Sequence, residues 1–144
     1  MTHTDTVHLL RECNAGSKMA VSSIDEVIGR VKDEGLRKLL HNSKEHHEQL
    51  GNDIHAQLMK QDSEEKDPGA MAKSMSWVKT NFKLSMDESD SVVADLITDG
   101  CNMGIKSLHR YLNQYHEADE TSKELCRKLS FIEEDLCRNL RGYL

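Results

Sequence analysis

Four long stretches of the chain repeat apolar residues every three or four positions, the period of a helix that is buried on one side. They run from Asp5 to Val31, from Glu34 to Gln61, from about Ser85 to Tyr115, and from about Thr121 to Tyr143. No helix can bury such a stripe alone, so we expect the four to pack together. The pattern predicts an all-α fold, an antiparallel four-helix bundle.

The composition agrees with this fold. The chain has 144 residues, one proline and only 4% aromatic residues, so its core must be built from Leu, Ile, Val, Met and Ala. This length suits a single domain spanning residues 1–144. The net charge of −6 argues against nucleic acid as a partner, because phosphate binding favours a basic surface.

Helix boundaries follow from turn and capping signals. The polar run Lys32–Gly35 predicts a tight turn between the first two helices. Ser85 and Glu88 have the spacing of a capping box and predict the start of the third long helix. Asp119 or Thr121 is the expected N-cap of the last helix.

The segment between the second and third long helices has its own character. Residues 61–69 are acidic and contain Pro68, which predicts a loop. Residues 69–86 predict a short crossover helix with lysines on one side. Its apolar residues are Met71, Met75, Trp77, Val78 and Phe82. They suggest contact with a protein partner or self-association; the alternative is that they pack on the bundle while the lysines face water.

Location and cysteine chemistry are also constrained. The polar N-terminus lacks a signal-peptide pattern, and no apolar run reaches the roughly 18 residues of a membrane span. We therefore expect a cytoplasmic protein with free thiols.

Cys126 and Cys137 are about 16 Å apart along one helix, too far for a disulfide. Asp99 lies two residues before Cys101, and a nearby carboxylate disfavours a reactive thiolate. We therefore expect Cys101 to be a small buried or half-buried residue.

Two segments, Leu36–Ile54 and Leu96–Tyr115, resemble a bacterial family of uncharacterised ferritin-like four-helix bundles. The resemblance implies a ferritin-like bundle with its one long connection between the second and third long helices. The wider superfamily binds two metal ions through glutamates and Glu-x-x-His motifs. No Glu in this chain is followed by His three residues later, and the nearest run is Glu45-His46-His47-Glu48. This departure argues against di-iron chemistry.

The inward positions at mid-height decide whether the bundle can hold a cofactor. They are predicted to be Ser17, Ser43, His47, Gly100, Leu129 and Ile132. One imidazole and two hydroxyls cannot balance the charge of two hard metal ions, so we expect no metal centre and no cofactor. His47 is then a neutral core histidine bonded to Ser43 or to a hydroxyl across the bundle.

The alternative is a metal site with unusual ligands, in which iron, zinc or manganese binds one or both histidines. The candidate ligands are Glu45, His46, His47 and Glu48, with Asp25, Asp99 or Glu133 from neighbouring helices.

Gly100 and Gly104 leave a second alternative open. Each costs a helix roughly 1 kcal/mol relative to alanine, which suggests close helix packing or a ligand against the backbone.

Three functions are consistent with these features. The first is a non-catalytic structural or protein-interaction module. The second is a metal-binding ferritin-like protein with non-standard ligands. The third is a carrier of a small apolar ligand, with a pocket at Gly100 and Gly104.

Overall fold

The computed structural model describes residues 2–61 and 89–144. These residues form four α-helices and no strand: α1 (Thr2–Ile28), α2 (Glu34–Lys60), α3 (Asp90–Gln114) and α4 (Glu120–Leu140). A short 3-10 helix, Arg141–Tyr143, follows α4. The all-α prediction is confirmed. The predicted crossover helix at 69–86, with Met71, Met75, Trp77, Val78 and Phe82, lies outside the described residues, as do Ser85 and Glu88.

Helix starts depend on short polar side chains. The Asp33 carboxylate accepts the backbone N–H of Leu36 at 2.9 Å and so caps α2. Asp119 accepts the N–H of Ser122 at 2.8 Å and caps α4, which selects it over Thr121. Within the described residues, α3 begins at Asp90, and Ser89 before it has extended backbone angles. The start predicted at Ser85 lies outside the described residues.

The core consists of two apolar clusters. The first cluster comprises Ile24, Val27, Val31, Leu36, Leu40, Val93, Ala94, Leu96, Ile97, Cys101, Leu136 and Leu140. The second cluster comprises Leu9, Leu10, Cys13, Leu50, Ile54, Leu58, Leu108, Ala118, Cys126 and Leu129. The two inward positions predicted for α2, Ser43 and His47, are buried.

A layer of buried polar residues separates the two clusters. On each helix that contributes to it, the polar residues fall between members of the first and second clusters along the chain. This polar layer consists of Asn14, Ser17, Ser43, His47, Ser130 and Glu133. Gly104 occupies the corresponding level of α3, between Cys101 and Leu108. The mid-height of the bundle is therefore its least apolar part.

One predicted inward position is wrong. Ile132 is only half-buried, whereas the adjacent Glu133 is buried. Both positions lie three or four residues from Leu129 and from Leu136, so the helical period allows either, and the packing of α4 buries Glu133.

Each short turn is held by side chains from a distant part of the chain. The Asp90 carboxylate, at the start of α3, accepts the N–H groups of Lys32 and Asp33 at 2.9 and 2.8 Å. At the turn between α3 and α4, the N–H of Glu117 donates to Asp5, and that of Asp119 donates to the Thr6 hydroxyl at 2.8 Å. The start of α1 thus meets the end of α3, and the start of α3 meets the end of α1.

No helix in the described part of the chain is both long and apolar enough to cross a membrane.

The cap of α4 is open to a direct test. We expect Asp119→Ala to lower the free energy of unfolding by about 1 kcal/mol, because the N–H of Ser122 loses its acceptor. Thr121→Ala, one residue into the helix, is the matched control and should change stability by less than about 0.5 kcal/mol. Urea titrations followed by circular dichroism measure both. Equal losses in the two variants would contradict the assignment of the cap.

Candidate functional site

The centre of the polar layer holds one imidazole and one carboxylate from facing helices. His47 occupies the middle of the buried stripe of α2, and Glu133 occupies the middle of the stripe of α4. His47 is 1% exposed and Glu133 is 6% exposed. Groups of this kind are rarely buried without partners, so their surroundings are informative.

A backbone contact fixes the proton on one ring nitrogen of His47. Its Nδ1 lies 2.8 Å from the carbonyl oxygen of Ser43, one turn earlier, and 3.4 Å from the Ser43 hydroxyl. A carbonyl oxygen can only accept, so Nδ1 is the donor. In the neutral ring, the lone pair is then on Nε2. The predicted bond to Ser43 is therefore present, although the closer partner is the main chain.

The other ring nitrogen faces the carboxylate. His47 Nε2 lies 3.8 Å from Glu133 Oε1, longer than a hydrogen bond. Neither Nε2 of His47 nor Oε2 of Glu133 has a hydrogen-bond partner in the described structure. Burial raises the pKa of the Glu133 carboxyl above its usual value, and the neighbouring His47 offsets only part of this rise.

The Glu133 carboxylate also accounts for Gly104. A methyl group at this glycine would lie 3.0 Å from the Glu133 carboxyl carbon and closer still to Oε2. A Cβ at Gly100, one turn earlier, would meet nothing within 4 Å. The two glycines therefore have different roles. Gly104 makes room for the carboxylate, and Gly100 borders open space.

A cavity of about 40 Å³ adjoins the pair, with His47, Glu133, Gly100 and Cys101 in its wall. Most of the remaining wall is apolar. This volume accommodates water molecules or a small ion, but not a drug-sized molecule. A larger groove of about 300 Å³ lies between α1 and α3 and also reaches Glu133. Met19 is common to the cavity and the groove.

Four cysteines, in two pairs, lie close enough to Glu133 for its charge to affect their pKa values. The Cys13 thiol of α1 donates a hydrogen bond to the sulfur of Cys126 on α4. The Cys101 thiol of α3 donates to Cys137, also on α4. In each pair, this bond is the main reason that the donor's pKa is raised and the acceptor's pKa is lowered. The negative charge of Glu133 adds a smaller upward contribution to the pKa of all four thiols.

The other candidate ligands do not join this centre. Glu45, His46, Glu48 and Asp99 are exposed. Asp25 is also exposed.

Two of the exposed carboxylates have surface partners of their own. Glu45 lies 3.2 Å from His41, and Asp25 lies 2.6 Å from Lys44. Within residues 2–61 and 89–144, no group of three or more His, Cys, Asp or Glu side chains is placed to hold a metal ion. The structure brings only His47 and Glu133 together.

Comparisons of the chain with protein-family models, curated proteins and solved structures found no match. Inference about function therefore depends on the geometry of the polar layer.

The two glycines of α3 provide a matched pair of substitutions. We expect Gly104→Ala to destabilise the protein by about 1–2 kcal/mol, because the added methyl displaces a buried carboxylate. Gly100→Ala should instead stabilise it by about 0.5–1 kcal/mol through higher helix propensity. Thermal and urea unfolding measure both changes. Stabilisation by Gly104→Ala would show that the carboxylate does not need this space.

The raised pKa of Glu133 predicts a dependence of stability on pH. The folded carboxyl holds its proton more tightly than the unfolded one, whose pKa is 4.5. The Glu133 carboxyl therefore makes its full contribution to the free energy of unfolding below pH 4.5, and this contribution is lost as the pH rises through the pKa of the folded state. We expect Glu133→Gln to remove this loss. The free energy of unfolding of the variant should therefore rise relative to that of wild type as the pH increases.

Glu134→Gln is the control for this experiment, because Glu134 is adjacent and its side chain is 46% exposed. The Glu134→Gln variant should retain the wild-type dependence of stability on pH. Urea unfolding at a series of pH values measures the three proteins. The assignment fails if the Glu133 and Glu134 variants give the same profile.

Proposed function

We propose that the protein is a non-catalytic helical bundle that binds a small cation between His47 and Glu133. One observation carries the proposal: a ring-nitrogen lone pair and a buried carboxylate face each other at 3.8 Å, without a hydrogen bond between them. Two electron-rich groups in an apolar interior repel unless a proton or a cation lies between them. The pair is therefore suited to receive positive charge.

The orientation of His47 supports a metal ion as the cation. A histidine that binds metal through one nitrogen almost always donates its other N–H to a carboxylate, a carbonyl or water, which fixes the ring. His47 makes this contact to the Ser43 carbonyl. Imidazole and carboxylate ligands suit zinc, iron and manganese. With two protein ligands, water molecules would complete the coordination.

The wall of the cavity also suits an organic ammonium group. Beside the polar pair, the cavity is lined by apolar side chains that could contact a short alkyl chain. These are Met19, Ala20, Ile24, Leu96, Ile97 and Leu136. The cavity at Gly100 lies where the carrier hypothesis placed a pocket, and the groove beside Gly104 offers a route from solvent to Glu133. A metal ion and a short alkylammonium are both small cations, and either would place its positive charge against the Glu133 carboxylate.

The proposal includes the antiparallel, ferritin-like arrangement that the sequence resemblance implies. The hydrogen bonds at the two turns support it, because they bring the start of α1 to the end of α3 and the start of α3 to the end of α1. In that arrangement α2 and α3 are parallel, so residues 61–89 supply the long connection.

A protein-interaction role for the crossover helix stays a prediction, because its residues are outside the described ranges. A cytoplasmic location and self-association likewise remain predictions.

Thermal melts at pH 8 of protein purified without a metal-affinity tag test the proposal. The added cations are Zn²⁺, Mn²⁺, anaerobic Fe²⁺ and propylammonium, with potassium as the reference. A cation present at 100 times its Kd should stabilise the protein by about 2.7 kcal/mol. A higher melting temperature with a metal ion identifies a metal site, and a higher melting temperature with propylammonium alone identifies an amine site. The effect should be smaller at pH 5, because protons compete for Glu133.

Four variants make the test specific. We expect His47→Asn, which keeps a donor to the Ser43 carbonyl, and Glu133→Gln to abolish the stabilisation. The exposed neighbours supply the controls His46→Asn and Glu134→Gln, which should retain it. The proposal is wrong if no cation stabilises the wild type, or if the stabilisation persists in both core variants.

A further inference from the structure

The packing of α3 on α4 places two cysteines in contact at the edge of the first cluster. Cys101 is buried in the first cluster, and Cys137 is half-buried and packs against that cluster. The Cys137 sulfur lies 3.8 Å from the carbonyl oxygen of Thr98 and 3.5 Å from Oδ1 of Asn102. Thr98 and Asn102 flank Cys101 on α3, so the Cys137 thiol lies against the turn of helix that carries Cys101.

The two thiols are unequal. The hydrogen bond from Cys101 is the main reason that the pKa of Cys137 is lowered. Burial and the negative charge of Glu133 oppose this shift, and nearby Arg141 supports it. The same bond and burial raise the pKa of Cys101. A half-exposed thiol with a lowered pKa, next to a buried thiol with a raised pKa, is the arrangement of an attacking and a resolving cysteine.

We infer that Cys101 and Cys137 form a reversible disulfide between α3 and α4, with Cys137 as the attacking thiol. The inference does not depend on cation binding. Both thiols are free in this structure, which therefore represents the reduced form. Closing the bond requires the two sulfur atoms to move from hydrogen-bonding contact to about 2.05 Å.

The oxidant is a small-molecule disulfide such as glutathione disulfide. The Cys137 thiolate attacks one of its sulfurs, forms a mixed disulfide and releases the first glutathione thiolate. Cys101 then loses its proton and attacks the Cys137 sulfur, which releases the second glutathione. The two protons from the cysteines pass to the two departing thiolates. Two protein thiols are oxidised, and one disulfide is reduced to two thiols.

Cys13 and Cys126 provide a comparison within the same molecule. They also form a hydrogen-bonded pair between two helices, but each is 0% exposed. An oxidant in solution cannot reach either sulfur while the bundle is folded. Exposure of the attacking thiol is therefore the main difference between the two pairs.

The test is oxidation of the folded, full-length chain by glutathione disulfide, followed by alkylation and peptide mass spectrometry. We expect the Cys101–Cys137 disulfide to form at least about tenfold faster than a Cys13–Cys126 disulfide. Cys101→Ser should trap Cys137 as a stable mixed disulfide with glutathione. Cys137→Ser should leave Cys101 unmodified, and Cys126→Ser should leave the Cys101–Cys137 reaction unchanged.

Circular dichroism before and after oxidation checks that every variant stays folded. The inference is overturned if Cys137 does not react, if the Cys13–Cys126 disulfide forms as fast, or if Cys101→Ser fails to accumulate the mixed disulfide. Dithiothreitol should return the oxidised protein to four free thiols, and a product that resists reduction would also overturn it.

Discussion

The burial of the Glu133 carboxylate is the constraint on which the centre of this bundle depends. An ionised carboxylate in an apolar interior costs several kcal/mol unless its surroundings compensate. His47 is the group that faces it, and Gly104 supplies the space it occupies. The Ser43 carbonyl in turn fixes the orientation of the imidazole. One residue of α4 thus explains a histidine on α2 and a glycine on α3.

The same constraint aligns α4 with its neighbours. The core is divided into two apolar clusters, and the polar layer lies between them. A displacement of α4 along its axis by one turn would bring the carboxylate against an apolar cluster, where nothing offsets its desolvation. The polar layer therefore opposes alternative alignments that an entirely apolar stripe would tolerate.

Sequence alone predicted the all-α class, because the period of a helix is a local property. It predicted the start of α2 and the burial of Ser43 and His47, and it narrowed the cap of α4 to Asp119 or Thr121. It failed where two adjacent positions both fitted the helical period. On α4, Ile132 was predicted to be inward because it continues the apolar stripe at helical spacing, whereas the fold buries the adjacent Glu133.

The contacts between distant residues were not predictable, because they depend on how the helices pack. Asp90 meets Lys32 and Asp33 across more than fifty residues of chain. The pairing of Cys101 with Cys137 likewise appears only once α3 lies against α4. Sequence spacing correctly excluded a bond between Cys126 and Cys137, but it contains no information about neighbours on other helices.

The position of Glu133 among four thiols couples two kinds of chemistry. Its negative charge opposes the ionisation of each cysteine around it. Whatever neutralises the carboxylate, whether a proton or a metal ion, therefore makes those thiols more acidic. Thermodynamic linkage makes this relation reciprocal, so a change in thiol charge must alter the affinity of Glu133 for positive charge by the same factor. A cation bound at Glu133 would therefore be linked to the acidity of the surrounding helices' cysteines, and not only to the stability of the fold.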